Sequence, residues 1–169
     1  MAEQDLPLAG KIALVTGSSQ GIGRATALRL AQSGADIIIN YRRNAEAADE
    51  AKAGVEALGR RCITIQADVS QEEEVTRLFT EATNALGPVT VLVNNAGTTR
   101  DKLILQMSLA DFEHVIQTNL RSAFLCTKAV LCGHLLSLRS AIGWRKRASG
   151  SAGLSGCPRP SWALAMHLS

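Results

Sequence analysis

The stretch KIALVTGSSQGIG, residues 11–23, decides the fold. Its first six residues are largely apolar and β-branched, which predicts a buried strand over 11–16, and an alanine- and leucine-rich helix follows the loop. Gly17 permits a tight turn, Gly21 lets a ligand approach the backbone, and Gly23 permits close helix–sheet packing. Because a helix N-terminus offers unpaired N–H groups and a positive dipole, this junction predicts a phosphate-binding loop.

The same alternation of strand and helix continues along the chain to about residue 131, which is typical of a parallel α/β sheet. Ser70 with Glu73, and Ser108 with Asp111, have the spacing of helix-capping pairs. Further strands are predicted at 36–40, 62–67 and 89–93, and helices at 21–32, 44–58, 70–86 and 108–131. We predict the N-terminal half of a Rossmann-like doubly wound parallel sheet, an α/β fold, with 89–93 as an exposed edge.

The composition changes after about Leu131. Residues 132–169 contain no Asp, Glu, Val, Thr or Tyr, although both tryptophans lie there. We therefore expect two parts, an ordered half over 1–131 and an irregular, poorly ordered tail over 132–169. A truncation or reading-frame change after Leu131 is the favoured explanation of the tail, and an appended functional peptide is the alternative.

Composition and charge exclude several classes of function. The net charge of +3 is too small to favour a nucleic-acid or membrane partner. No stretch approaches the roughly 18 apolar residues that span a bilayer, and residues 1–10 lack the pattern of a secretion signal. The four cysteines form no CxxC pair, so no metal site is predicted. We expect a cytoplasmic protein.

Further motifs follow the glycine loop in order: Asp-Val at 68–69, Asn-Asn-Ala-Gly at 94–97, and Asn119. Together with the GxxxGxG spacing they resemble the short-chain dehydrogenase/reductase family, over about residues 8–131. Within that family, NNAGTTRDKLILQM at 94–107 looks most like the 3-oxoacyl-acyl-carrier-protein reductases of fatty acid biosynthesis. The acetoacetyl-CoA reductases are nearly as similar in this stretch.

The resemblance implies a role for each matching position. Asp68 would bond the adenine amino group, with the Val69 backbone beside it, and Asn119 would bend its helix and hold a water of the proton relay. The long helix over 108–131 would support a homo-oligomer. The phosphates would be cradled by Gly17, Ser18, Ser19, Gln20, Gly21, Ile22 and Gly23, and the ribose and nicotinamide side would be lined by Asn95, Ala96 and Gly97.

The choice of cofactor is argued from charge. An NAD-binding site needs a carboxylate at the end of the second strand, where this chain has Asn-Tyr-Arg-Arg at 40–43. Asp36 lies at the start of that strand and cannot serve. An arginine such as Arg42 can clamp a 2′-phosphate through charge-assisted hydrogen bonds, so NADP(H) is predicted. A pair of merely solvated arginines is the alternative, and Gln20 departs from the basic residue common in NADP-preferring relatives.

The family's acid catalysis uses a serine and a Tyr-x-x-x-Lys motif that follow the position of Asn119. Tyr41 is the only tyrosine among the 169 residues, and it lies at the end of the second strand. Asn119 is thus the one remaining catalytic position. By family, we expect an NADPH-dependent oxidoreductase of 3-oxoacyl thioesters that is inactive as this chain. A non-catalytic NADP-binding fragment, an acetoacetyl-CoA reductase or another short-chain dehydrogenase are the alternatives.

Overall fold

The structure, a computed structural model, describes residues 6–141. Its strands and helices alternate in the predicted order, and the predicted boundaries hold to within a few residues for the first seven elements. The strands are β1 (Ile12–Val15), β2 (Asp36–Tyr41), β3 (Cys62–Gln66) and β4 (Val91–Val93). The helices are α1 (Gly21–Gln32), α2 (Ala45–Glu56), α3 (Glu72–Ala85), α4 (Leu109–Ile116) and α5 (Ser122–Ala141), with a short 3-10 turn at Ile104–Gln106.

The four strands form one parallel sheet in the order β3-β2-β1-β4. Ala13 of β1 is in register with Ile37 of β2 on one side and with Val91 of β4 on the other. This arrangement confirms the predicted half of a doubly wound sheet. Within residues 6–141, β4 pairs only with β1 and is one of the two edge strands, as its sequence position predicted.

Helices cover both faces of the sheet, because each strand alternates its side chains between two apolar cores. Strands buried on both faces require continuous apolar runs, such as IALV in β1 and the three isoleucines of β2. One core packs β-strand side chains against α3 and α5 and includes Leu14, Ile38, Ile65, Leu78 and Leu125. The other packs them against α1 and α2 and includes Val15, Ile37, Ile39, Ala27 and Val55.

The predicted helix over 108–131 is divided into three segments. Ser108 and Asp111 form the predicted reciprocal capping box at the start of α4. A π-helical turn, Gln117–Arg121, then joins α4 to α5. The helix does not end near Leu131 but continues to Ala141; residues 132–141 contain three leucines, which favour helix, and no proline to stop it.

One other local prediction is wrong: Ser70 does not cap α3; its hydroxyl donates to Asp68 Oδ1 at 2.7 Å, and the N-cap residue is Gln71. Leu125 of α5 is buried in the core, but several of the large apolar side chains on α4 and α5 face outward. Phe112 and Phe124 are 52% and 62% exposed. Residues 142–169, most of the predicted tail, lie outside the described residues, so the boundary at Leu131 stays a prediction.

Candidate functional site

The N-terminus of α1 is unusual among the helices that the structure describes. Its N-cap residue, Gln20, makes no side-chain cap hydrogen bond, and the first turn holds no acidic residue. By contrast, α2 is capped by Asn44 and α4 by Ser108, while α3 carries Glu72, Glu73 and Glu74 in its first turn. The positive end of the α1 dipole is therefore the one that protein groups leave uncompensated, which suits an anion.

The glycines of the loop shape this helix end. Gly21 has φ +58°, a conformation that side chains disfavour, and a Cβ placed there would meet no atom within 4 Å. The space above Gly21 is thus open to a ligand. At Gly23 the opposite holds, since a Cβ would lie 2.5 Å from Asn95 Nδ2 and 2.6 Å from the Gly17 carbonyl oxygen. The absence of a side chain at Gly23 therefore allows α1 to pack closely against the Gly17 backbone and the Asn95 side chain.

Thr16 ties the glycine loop to the end of β4. Its hydroxyl oxygen, in a side chain that is almost fully buried, accepts hydrogen bonds from the backbone N–H groups of Asn95 and Ala96, each at 3.0 Å. The Asn95 amide returns hydrogen bonds to the carbonyls of Thr16 and Gly17 at 2.9 and 3.1 Å. These hydrogen bonds join the start of the glycine loop to the segment after β4, although the two are far apart in sequence. Asn95 and Ala96 consequently lie beside the glycine loop.

Asn119 lies in the π-helical turn and forms two hydrogen bonds with the loop after β4. Its Oδ1 accepts from the Thr98 backbone N–H at 2.8 Å, and its Nδ2 donates to the Thr98 carbonyl at 3.0 Å. A Cβ on Gly97 would lie 3.4 Å from Asn119 Oδ1. The side chain thus holds the loop that carries Gly97 by both of its polar atoms. Helices form π-turns rarely, and often at functional sites.

Arg42 and Asp68 form an ion pair at the carboxyl ends of β2 and β3, with 3.6 Å between Nη1 and Oδ2. Partial burial acts to raise the pKa of Asp68, but hydrogen bonds from the Ser70 hydroxyl and backbone N–H and the charge of Arg42 outweigh it, so the pKa is lowered. Both side chains remain partly exposed. A ligand phosphate that reaches this point would meet an arginine already held by a carboxylate.

The opposite end of β2 carries a second arginine–aspartate pair. Arg61 Nη2 lies 2.7 Å from Asp36 Oδ2, and the Arg61 backbone N–H donates to Asp36 Oδ1 at 3.0 Å. Asp36 is consequently engaged at the amino end of the strand, away from the glycine loop. The end of β2 nearest the loop carries Arg42 and Arg43, both exposed, and no carboxylate.

The structure brings most of the predicted cofactor residues to one edge of the sheet. Ser18 and Ser19 are buried within the loop, whereas Gln20 and Ile22 are exposed at the helix end, and Val69 is buried behind Asp68. Two residues that sequence reasoning did not select, Thr16 and Asn40, also belong to the site. Each is a polar residue that follows directly on an apolar run. That change from apolar to polar was the sequence feature that could have identified them.

No helix in the described part of the chain is both long and apolar enough to cross a membrane. No cluster of three His, Cys, Asp or Glu residues there could hold a metal ion. The buried thiol of Cys126, whose pKa burial raises to about 12, is unreactive at neutral pH.

Comparison with known proteins gives consistent results. The chain is 43% identical over 151 residues to a 3-oxoacyl-acyl-carrier-protein reductase of Synechocystis, covering 89% of this chain and 60% of that protein. The corresponding reductase of Staphylococcus epidermidis is 38% identical over 140 residues, covering 79% of this chain and 57% of that protein. The chain thus spans somewhat over half the length of these relatives.

Solved structures are similar over the same region. A short chain dehydrogenase from Burkholderia cenocepacia, in complex with NADP, has a TM-score of 0.71 and 43% identity, covering 73% of this chain and 51% of that one. A dehydrogenase/reductase from Mycobacterium marinum has a TM-score of 0.74 and 31% identity, covering 82% and 56%. A family model described as short chain dehydrogenase matches residues 11–140. The chain belongs to the short-chain dehydrogenase/reductase family.

Proposed function

We propose that this chain binds NADP(H) through the glycine loop and the N-terminus of α1, and that it derives from a reductase of 3-oxoacyl thioesters. The observation that carries the proposal is the uncapped, acid-free helix end beneath open space at Gly21. A dinucleotide pyrophosphate has the charge and the small cross-section that this helix end accepts. The NADP complex of the Burkholderia relative supports the same cofactor.

Preference for NADP(H) over NAD(H) is proposed from charge. The 2′-phosphate would approach the end of β2, where Arg42 and Arg43 are exposed and Asp36 is held at the far end by Arg61. Asp68 holds the Arg42 guanidinium near that position. An orienting carboxylate reduces the side-chain entropy that Arg42 loses when it binds a phosphate.

The substrate class is proposed from the names of the relatives, which reduce 3-oxoacyl groups carried on a protein thioester. When bound, the nicotinamide supplies the hydride for such a reduction. The residues of this chain would position it: the glycine loop binds the pyrophosphate, Asn95 and Ala96 border the cleft, and Asn119 holds the loop at Gly97. A cytoplasmic location accompanies this proposal. Tyr41 cannot act as the acid, because it lies on β2 at the Arg42 end of the site.

Dinucleotide binding is tested by titrating the chain with NADPH and NADH in a calorimeter. Gly21→Asp places a carboxylate at the positive end of α1, where a Cβ would meet nothing within 4 Å. The positive φ strains any side chain there, but Asp is among the residues that adopt this conformation most often. We expect Gly21→Asp to abolish binding of both dinucleotides. Gly59→Asp is the matched control, since Gly59 at the end of α2 has φ +76° and equally open surroundings. Loss of binding in both variants, or in neither, would contradict the site.

Self-association is a further part of the proposal. Exposed apolar side chains recur along α4, the π-helical turn and α5: Leu109, Phe112, Ile116, Leu120 and Phe124. Contiguous apolar surface of this kind commonly marks a protein interface. We expect sedimentation velocity to show a dimer or larger species, and Phe112→Glu with Phe124→Glu to shift it to the monomer. A monomeric parent chain would refute this surface as a self-association site.

A further inference from the structure

Asn40, the next-to-last residue of β2, is a polar side chain in an apolar setting. It follows Ile37, Ile38 and Ile39 and is only 1% exposed. Burial of an amide without hydrogen bonds is strongly unfavourable, because the group loses its bonds to water and gains none in return. Its presence at the end of an otherwise apolar strand therefore requires partners, and these partners show what the residue does.

The two polar atoms of the Asn40 side chain contact different segments. Oδ1 accepts from the Gly17 backbone N–H at 3.2 Å. Nδ2 donates to the carbonyls of Ala67 at 3.0 Å and Ile65 at 3.4 Å. The Asn40 carbonyl also accepts from the Ser18 N–H at 2.9 Å. One buried residue thus fixes two consecutive N–H groups of the glycine loop and anchors them to the end of β3, immediately before Asp68.

Gly17 has little freedom on its other side. A Cβ at Gly17 would lie 3.0 Å from the Cα of Ala96, so the loop runs in a narrow space between Asn40 and the segment after β4. Thr16 fixes one end of this space, and Asn40 fixes the other. The loop conformation at residues 17 and 18 therefore depends on the Asn40 amide having an acceptor on one side and a donor on the other.

We propose that Asn40 is a positioning residue that presets the glycine loop for the pyrophosphate and so controls affinity for NADP and NAD alike. This inference rests on the proposed dinucleotide binding. Arg42, two residues further on, would act only on the 2′-phosphate. The two positions thus separate a loop effect, common to both dinucleotides, from a charge effect that distinguishes them. Asn40 touches no ligand atom in this role; it acts through Gly17 and Ser18.

The decisive variant is Asn40→Asp. A carboxylate still accepts from the Gly17 N–H but faces the carbonyl oxygens of Ile65 and Ala67 without a donor. Loss of that donor should weaken binding of both NADP⁺ and NAD⁺ by the same factor, about tenfold or more at neutral pH. When protonated, the introduced carboxyl regains one donor and one acceptor. Binding should therefore recover as the pH falls from about 8 to about 5, because burial raises the pKa of such a group.

Two controls separate positioning from loss of fold. Asn44→Asp changes the same chemical group on the exposed cap of α2, where Asp is an equally good cap, so neither affinity nor its pH dependence should change. Affinities are taken from calorimetric titration of protein shown to be folded by circular dichroism. If Asn40→Asp does not fold at neutral pH, Asn40→Thr introduces a β-branched residue that strands favour, and it should weaken both dinucleotides equally.

The outcomes are distinct. A parent chain that binds neither dinucleotide would overturn the proposed function and this inference with it. A parent chain that binds, with folded Asn40 variants that bind both dinucleotides as tightly, would overturn the positioning role alone. Weakening of NADP⁺ but not NAD⁺ would also overturn it, by making Asn40 part of the 2′-phosphate site. Equal loss with recovery at low pH supports it.

Discussion

At the carboxyl end of β1, polar side chains are buried and bonded, whereas along α4 and α5 apolar side chains face outward. Thr16 and Asn40 are almost fully buried, and no buried side-chain nitrogen or oxygen in the described chain lacks a hydrogen-bond partner. On the other side, Phe112, Leu120 and Phe124 are all more than half exposed. β1 is fully buried, and β4, its neighbour on that side, is only partly covered.

The contrast is between the glycine loop, whose polar groups find their partners within the described chain, and the α4–α5 side, whose apolar side chains do not. The glycine loop is held by groups from β1, β2, β3 and the segment after β4, so every element that shapes it lies within residues 6–141. The α4–α5 side presents apolar surface that the described chain does not cover. The dinucleotide site and the stability of the core should therefore survive changes to the exposed apolar side chains of α4 and α5.

The largest expected effect is on turnover. The 169-residue chain should bind NADPH yet reduce a 3-oxoacyl thioester negligibly, because its sole tyrosine lies on β2 and no phenol stands beside Asn119. General acid catalysis is worth about 10²–10⁴ in rate. The assay follows nicotinamide absorbance with acetoacetyl-CoA at micromolar protein. Turnover of about 1–10³ per second, as in ordinary enzymes, would show that another group supplies the proton.

The next effect compares two apolar truncations. Leu14→Ala opens a cavity in the fully buried β1 and should lower the free energy of unfolding by about 2–5 kcal/mol. Phe112→Ala removes a half-exposed ring and should change it by no more than about 0.5 kcal/mol. Urea denaturation followed by circular dichroism measures both. A large loss for Phe112→Ala would show that the α4–α5 side is part of the stable core.

A smaller effect is expected at the two arginine–aspartate pairs of β2. Replacing Arg42 and Arg43 by Ala should weaken NADPH by about 1–3 kcal/mol and leave NADH unchanged, because only the 2′-phosphate is lost as a partner. Arg61→Ala breaks the pair at the other end of the strand and should affect neither cofactor. Equal affinity of the parent chain for NADPH and NADH would remove the basis for this prediction.

The smallest effect is pH dependence at Asp68. Its folded pKa lies below the ordinary value of 3.8, so its contribution to stability is present above that value and is lost as the pH falls through the folded pKa. Because the ion pair is partly exposed, the contribution should be under about 1 kcal/mol. As the pH falls from about 5 to about 2, melting temperatures should fall more steeply for the parent than for Asp68→Asn. Parallel curves would mean that neither the Ser70 hydrogen bonds nor the Arg42 charge stabilises the folded chain through Asp68.

Sequence reasoning recovered the sheet order and the glycine loop, because apolar runs and glycines report directly on burial and backbone conformation. It failed at Ser70, where the S-x-x-E spacing matched a cap but the hydroxyl found Asp68 closer. It could not show whether Phe112 and Phe124 are buried, since helical periodicity shows that a face is apolar without showing what covers it. The predicted helix end near Leu131 is too early, because the composition changes there while the helix continues to Ala141.

The sequence by itself determined that KIALVTGSSQGIG is a strand, a loop and a helix, since those features depend on local propensity and period. It also determined that Arg42 and Arg43, and no carboxylate, end β2. Only the tertiary structure decided that Asn40 and Thr16 hold the glycine loop from two sides, and that Asn119 hydrogen-bonds the Thr98 backbone. Those contacts join residues that are distant along the chain, and hydrogen-bond partners of that kind are fixed by packing of the sheet, which no local pattern records.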